Sequence, residues 1–109
     1  MTHWLDTATF AEDEFDDLRG ADAGSLATRD ARTKALRREL APSHVLASLE
    51  WEVVASAISR DEVVLRLADG RAAVVHLSYP KSAPDRPPWP STWFAADADA
   101  LAGLLRDRC

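Results

Sequence analysis

An α+β fold, with an antiparallel meander of three or four strands and an N-terminal helical hairpin and a C-terminal helix packed on one face, is the expectation for this 109-residue chain. Three observations lead to it. Residues 50–79 alternate apolar and polar side chains around an Asp69-Gly70 pair, leucines recur at helical spacing on both sides of that stretch, and the length suits one domain with one modest core.

Taken in chain order, Thr9-Phe10-Ala11-Glu12 fits a capping box, with Thr9 capping a helix start and Glu12 reaching back. Phe10, Phe15 and Leu18 would anchor that first helix, and Arg19-Gly20 would stop it. Ser25 or Thr28 would cap a second helix, whose Leu26, Thr33, Leu36 and Leu40 repeat at helical spacing until Pro42 ends it.

The meander follows. A first strand over residues 51–58 joins the next through Ser59-Arg60-Asp61 and is expected to set Val53, Ala55 and Ala57 beside Leu67, Leu65 and Val63. For the hairpin, a two-residue loop would oppose Leu65 and Val74 and scatter the apolar side chains over both faces. A three-residue loop of Ala68, Asp69 and Gly70, with the glycine left-handed in a bulge, instead pairs Leu65 with Ala73 and Val63 with Val75. It gathers Val63, Leu65, Leu67, Ala73, Val75, Leu77 and Tyr79 on one face, and Glu62, Val64, Arg66, Ala72, Val74, His76 and Ser78 on the other. The three-residue loop is therefore preferred, and the second face is expected to look outward.

Prolines at 80, 84, 87, 88 and 90 make residues 80–90 an extended arm that cannot join a regular ladder. Trp89 and Trp93 bracket its end, and residues 91–94 form a candidate fourth strand. Asp97 then caps the last helix, Leu101, Leu104 and Leu105 face inward, and Arg106 and Arg108 sit at the negative end of its dipole.

Composition narrows the functional classes. With 47% hydrophobic and 28% charged residues the chain reads as an ordinary globular protein, without a signal peptide or a membrane-length apolar run, so a cytoplasmic location is expected. The single cysteine, Cys109, forms no internal disulfide or zinc cluster. Residues 1–24 carry a net −6 and residues 25–41 a net +3, which suggests that the acidic and basic helices lie side by side. The net charge of −5 argues against nucleic acid as a partner.

No chemical signature stands out. Glycines at 20, 24, 70 and 103 are too dispersed to cradle a phosphate, and no serine occupies a nucleophile elbow. His3 and His44 fall in a tail and a loop, the histidines lack metal-ligand spacing, and the acidic run lacks the pattern of a calcium loop. No cofactor or metal is expected. His76, mid-strand opposite Glu62, is the one pair with the makings of acid–base or ligand contact.

The segment Asp69-Gly70-Arg71-Ala72-Ala73-Val74-Val75-His76-Leu77-Ser78-Tyr79, followed by Pro87-Pro88-Trp89-Pro90-Ser91-Thr92-Trp93-Phe94, resembles a group of small bacterial proteins. Its members share a D-G-x-x-A-V-V-H-L-T-W hairpin, a proline-rich W-P-x-T segment and a closing helix; Ser78-Tyr79 stands here in place of Thr-Trp. The resemblance covers the second half of the chain. It implies the fold and a bacterial origin but no assigned active site.

These readings favour a binding protein over an enzyme. Glu12, Asp13, Glu14, Asp16 and Asp17 put five carboxylates within six positions, suited to a cationic cleft such as that of a toxin, in the manner of immunity proteins and inhibitors. Trp89 and Trp93 are the other candidate contacts with a protein partner. The alternatives are an enzyme or ligand-binding domain using Glu62 and His76, and a homo-oligomer formed through an exposed Val64 and Val74.

Overall fold

The computed structural model describes residues 3–40, 42, 44–58, 61–77 and 92–107. Ser78, Tyr79, the arm at 80–90 with Trp89, and Cys109 lie outside the described residues. The strands are β1 (Phe15–Asp17), β2 (Trp51–Ala57), β3 (Glu62–Leu67), β4 (Ala72–His76) and β5 (Thr92–Ala95), joined in sequence order into one antiparallel sheet. Helix α1 (Ala23–Glu39) connects β1 to β2, and α2 (Ala98–Asp107) follows β5. Single 3-10 turns occupy Trp4–Thr7 and Val45–Ser48.

The α+β class and the antiparallel meander stand, but the sheet has five strands rather than three or four. The extra strand comes from the acidic segment expected to be helical. Helical bonding does start there, since the amides of Glu14 and Phe15 both donate to the Ala11 carbonyl, and then stops after one turn. In a continuing helix Glu12 would lie above Asp16 and Asp13 above Asp17, like charges at i,i+4 with no compensating partner between them. The extended form separates them and lets Phe15 turn inward beside Ala57.

The hairpin has the three-residue loop. Val63 pairs with Val75 and Leu65 with Ala73, the Leu67 amide donates to the Arg71 carbonyl, and Gly70 sits at φ +96°, a conformation that glycine alone adopts without strain. Strand β2 departs from the expected register. Trp51 pairs with Leu67 and Val53 with Leu65, and a bulge then sets Ala55 opposite Val64. The extra residue reverses the alternation, so Val54, Ala55 and Ala57 join the face opposite to that of Val53.

The helices do not share one face. Leu36 of α1, with Leu18 and Leu46, packs on Val53, Val63, Leu65, Leu67, Ala73, Val75 and Leu77, the face expected to be the core. Leu101 of α2 packs with Leu5, Phe10 and Phe15 on Val54, Ala55, Val64, Ala72 and Val74. The small side chains of Ala55 and Ala57 lie on this second face, in one cluster with the two phenylalanines. Val64 and Val74 are therefore fully buried and not an exposed oligomerisation patch.

The remaining boundaries follow their local chemistry. Asp22, not Ser25 or Thr28, caps α1, its carboxylate accepting from the Ser25 amide at 3.0 Å. Asp97 caps α2 as expected, accepting from the Ala100 amide at 2.9 Å. His3 and His44, assigned above to a tail and a loop, are both buried and cap the two 3-10 turns. Each Nδ1 accepts a backbone amide, from Leu5 at 3.1 Å and from Leu46 at 3.0 Å. An imidazole that accepts at Nδ1 carries its proton on Nε2, and His3 Nε2 accordingly donates to the Arg71 carbonyl at 3.1 Å.

Candidate functional site

The acidic segment forms one edge of the sheet. Its turn is closed at Ala11, and the Ile58 amide donates to the Glu14 carbonyl at 2.9 Å. The Leu18 amide donates to the Val54 carbonyl, also at 2.9 Å, so β2 grips the segment at both ends. Phe15 is buried between them, while Glu12, Asp13, Glu14, Asp16 and Asp17 are all exposed. The five candidate residues are thus held together on a fixed backbone, though on a turn and an edge strand rather than a helix.

Asp17 is the most engaged of the five. Arg19 Nε and Nη2 donate to its two carboxylate oxygens at 2.8 and 2.5 Å, and the Arg19 amide adds a third bond at 3.0 Å. The Arg19 fork holds the Asp17 carboxyl below the usual carboxylate range. The two N–H bonds of Nη1 run to the Leu5 and Ala8 carbonyls, at 2.9 and 2.6 Å, and Cζ lies 5.0 Å over the Phe10 ring centre. Arg19, expected only to punctuate a helix end, joins the edge to the N-terminal segment.

Asp6 and Asp69 repeat the arrangement. Arg66 forks onto the two oxygens of Asp6 at 2.8 and 3.3 Å, and Arg71 Nε and Nη2 both donate to Oδ2 of Asp69, at 3.0 and 2.7 Å. Each arginine hydrogen bond lowers the pKa of its carboxylate. Asp6, Arg19, Glu52 and Arg66 together line an open polar depression of about 430 Å³. None of these four stands out as a site residue in the sequence, because Asp6 and Arg66 are 60 positions apart and the register expected for β2 does not set Glu52 opposite Arg66.

The basic residues of α1 meet backbone, hydroxyl and aromatic groups as well as carboxylates. Arg29 Nη1 donates to the Leu18 carbonyl at 2.7 Å, Arg32 Nε to Ser56 Oγ at 3.1 Å, and Arg37 lies 4.6 Å over the Trp51 ring. Lys34 pairs with Asp30 one turn back, at 2.9 Å.

Glu62 and His76 are cross-strand partners, as expected. The Glu62 side chain is 3% exposed and that of His76 49%, with Nδ1 and Oε2 3.9 Å apart. This pair lies near one end of the β3–β4 ladder, away from the Ala68–Gly70 turn. Trp93 is half-buried on β5 opposite Val74, whereas Trp89 lies outside the described residues. Among the described residues no three His, Cys, Asp or Glu side chains are grouped to hold a metal ion, and no helix is long and apolar enough to cross a membrane. Comparison of the chain with protein-family models, curated proteins and solved structures gave no match.

Proposed function

We propose that this is a small acidic binding protein that neutralises a protein partner by presenting carboxylates to that partner's cationic cleft, in the manner of an immunity protein or inhibitor. The observation that carries this reading is the backbone of the acidic edge. Hydrogen bonds at Ala11, Glu14 and Leu18 and the buried Phe15 hold the backbone that carries the carboxylates, so little backbone ordering entropy is lost when a partner meets them. Opposed charges on the two surfaces would raise the association rate more than they slow dissociation.

The test uses the product of the gene adjacent to that of this chain as the partner, with association followed by stopped flow at low and high ionic strength. Glu12→Gln, Asp13→Asn and Asp16→Asn combined should slow association by roughly tenfold or more at low salt and flatten its salt dependence. Glu12 and Asp13 lie on the turn and Asp16 makes its ladder bonds through the backbone, so the fold should be retained. An association rate indifferent both to the substitutions and to salt would reject the reading.

The second reading is a ligand contact at Glu62 and His76, favoured by the half-exposed imidazole standing over a buried carboxylate. Under it, His76→Gln would abolish ligand binding or turnover with the fold intact. Under the first reading, the same variant binds its protein partner as the parent does.

A further inference from the structure

Residues 3–8 cross the alanine-rich face of the sheet without adding a strand to it. Their polar ties reach far along the chain. Trp4 Nε1 donates to the Gly70 carbonyl at 2.7 Å, His3 Nε2 to the Arg71 carbonyl at 3.1 Å, and Arg66 forks onto Asp6. Leu5 is fully buried against Val64 and Val74, while Trp4 and Ala8 are only partly covered. The last tie is Arg19, whose Nη1 donates to both the Leu5 and the Ala8 carbonyl.

Arg19 makes these bonds while its Nε and Nη2 are held by Asp17, which ends the acidic edge. A guanidinium is rigid and planar, so fixing two of its nitrogens on a carboxylate aims the third. Without Asp17 the side chain regains its rotamers, and the two carbonyl bonds must then bear that ordering cost themselves. We propose that residues 3–8 form a releasable strap, latched through Arg19 to Asp17, so that a cation taking the Asp17 carboxylate loosens the strap from the face lined by Val64 and Val74. Occupation of the acidic edge is thereby coupled to opening of an apolar surface some way behind it.

The strap opens as a unit of its own because the ladder bonds of β2, β3 and β4 do not pass through it. The effect of a bound partner rests on the binding reading above; the coupling of Asp17 to the strap is a property of the free chain and is tested there. The amides of Leu5, Asp6 and Ala8 are hydrogen-bonded within the strap's single turn, which does not persist once lifted off the sheet, so their exchange reports its opening. Hydrogen exchange followed by mass spectrometry on the whole free chain should show them exchanging about tenfold faster in Asp17→Asn than in the parent, with protection of β2, β3 and β4 unchanged. Arg19→Lys, which keeps the charge but loses the fork, should do the same. Unchanged exchange at residues 5–8 in both variants, or a rise spread equally over strap and sheet, would overturn the proposal. A partner whose association ignores salt and the acidic substitutions would end the binding reading while leaving this result standing.

Discussion

The two faces of the sheet are closed by different means. Under α1, Val63, Leu65, Leu67, Val75 and Leu77 present branched aliphatic side chains to Leu36, Leu46 and Leu18, and every one of them is at most 3% exposed. On the other face Ala55, Ala57, Ala72 and Ala95 leave a shallow floor that Phe10, Phe15 and Leu5 fill from the N-terminal side and Leu101 from α2. The first face is held by apolar area to which the 17-residue α1 contributes Leu36. The second combines its apolar contact with guanidinium forks and side-chain bonds to turn carbonyls. Apolar contact does not depend on pH or salt in the way that exposed forks do, so the two faces should fail under different conditions.

Truncation beneath α1 should produce the largest effect. Leu65→Ala should cost about 3 to 5 kcal/mol in urea unfolding, since the site is fully enclosed and collapses poorly. Leu5→Ala, equally buried but set in the strap, should cost about 2 to 3 kcal/mol, because the short segment can shift to fill the space. Equal losses would mean that the faces are one cooperative unit and that the contrast between them has no energetic content.

A smaller loss is expected at the turn that both faces share. A Cβ on Gly70 meets nothing within 4 Å, so the difficulty is the backbone angle of +96° and not space. Gly70→Val should lower stability by about 1 to 2 kcal/mol and Gly70→Asn by less, since asparagine tolerates positive φ. The valine variant should also weaken the strap, because Trp4 and His3 bind the carbonyls of Gly70 and Arg71.

Acid separates the faces most cleanly. Asp6 and Asp17, at the second face, have folded pKa values depressed, first of all, by the arginine hydrogen bonds they accept, as has Asp69 at the hairpin turn. Groups of this sign contribute stability that is fully present above the unfolded carboxylate pKa of about 3.9 and is lost as pH falls through the lower folded values. Unfolding midpoints should thus change little across neutral pH on account of these groups and fall below about pH 4, with Asp6→Asn and Asp17→Asn each removing part of that fall. Equal acid sensitivity in the double variant and the parent would show that the forks hold nothing. The smallest effect belongs to His76→Gln, expected to shift stability within about 0.5 kcal/mol, since the imidazole is half-exposed and 3.9 Å from its partner.

These differences also explain which parts of the molecule the sequence revealed. The β3–β4 hairpin was legible because its pattern is local: one glycine demanding positive φ and a two-residue alternation fix loop, register and both faces. The Asp97 cap and the Glu62–His76 pairing followed from equally short-range rules. The acidic edge residues were legible as a group but not as a strand, because the helical signal there yields a single turn closed at the Ala11 carbonyl and goes no further. The bulge in β2 was invisible in a run of small and β-branched residues that tolerates either register. His3 and His44 were misplaced since a histidine cap leaves no periodic trace. The Arg19 hub was missed for a related reason: beyond the nearby Asp17, its partners are carbonyl oxygens, which every residue possesses.

The strand order has a further consequence, for synthesis. His3 and Trp4 leave the ribosome 68 and 66 residues ahead of the carbonyls they bind, and β1 is made long before β2. Until the hairpin follows, Leu5, Phe10 and Phe15 have no sheet to cover. Over that interval the nascent segment carries seven acidic side chains against one arginine in its first 24 residues, and like charge keeps such stretches from associating with one another. The same carboxylates that later lie along an exposed edge would then first serve as a solubilising guard for a chain still waiting for its partner strand.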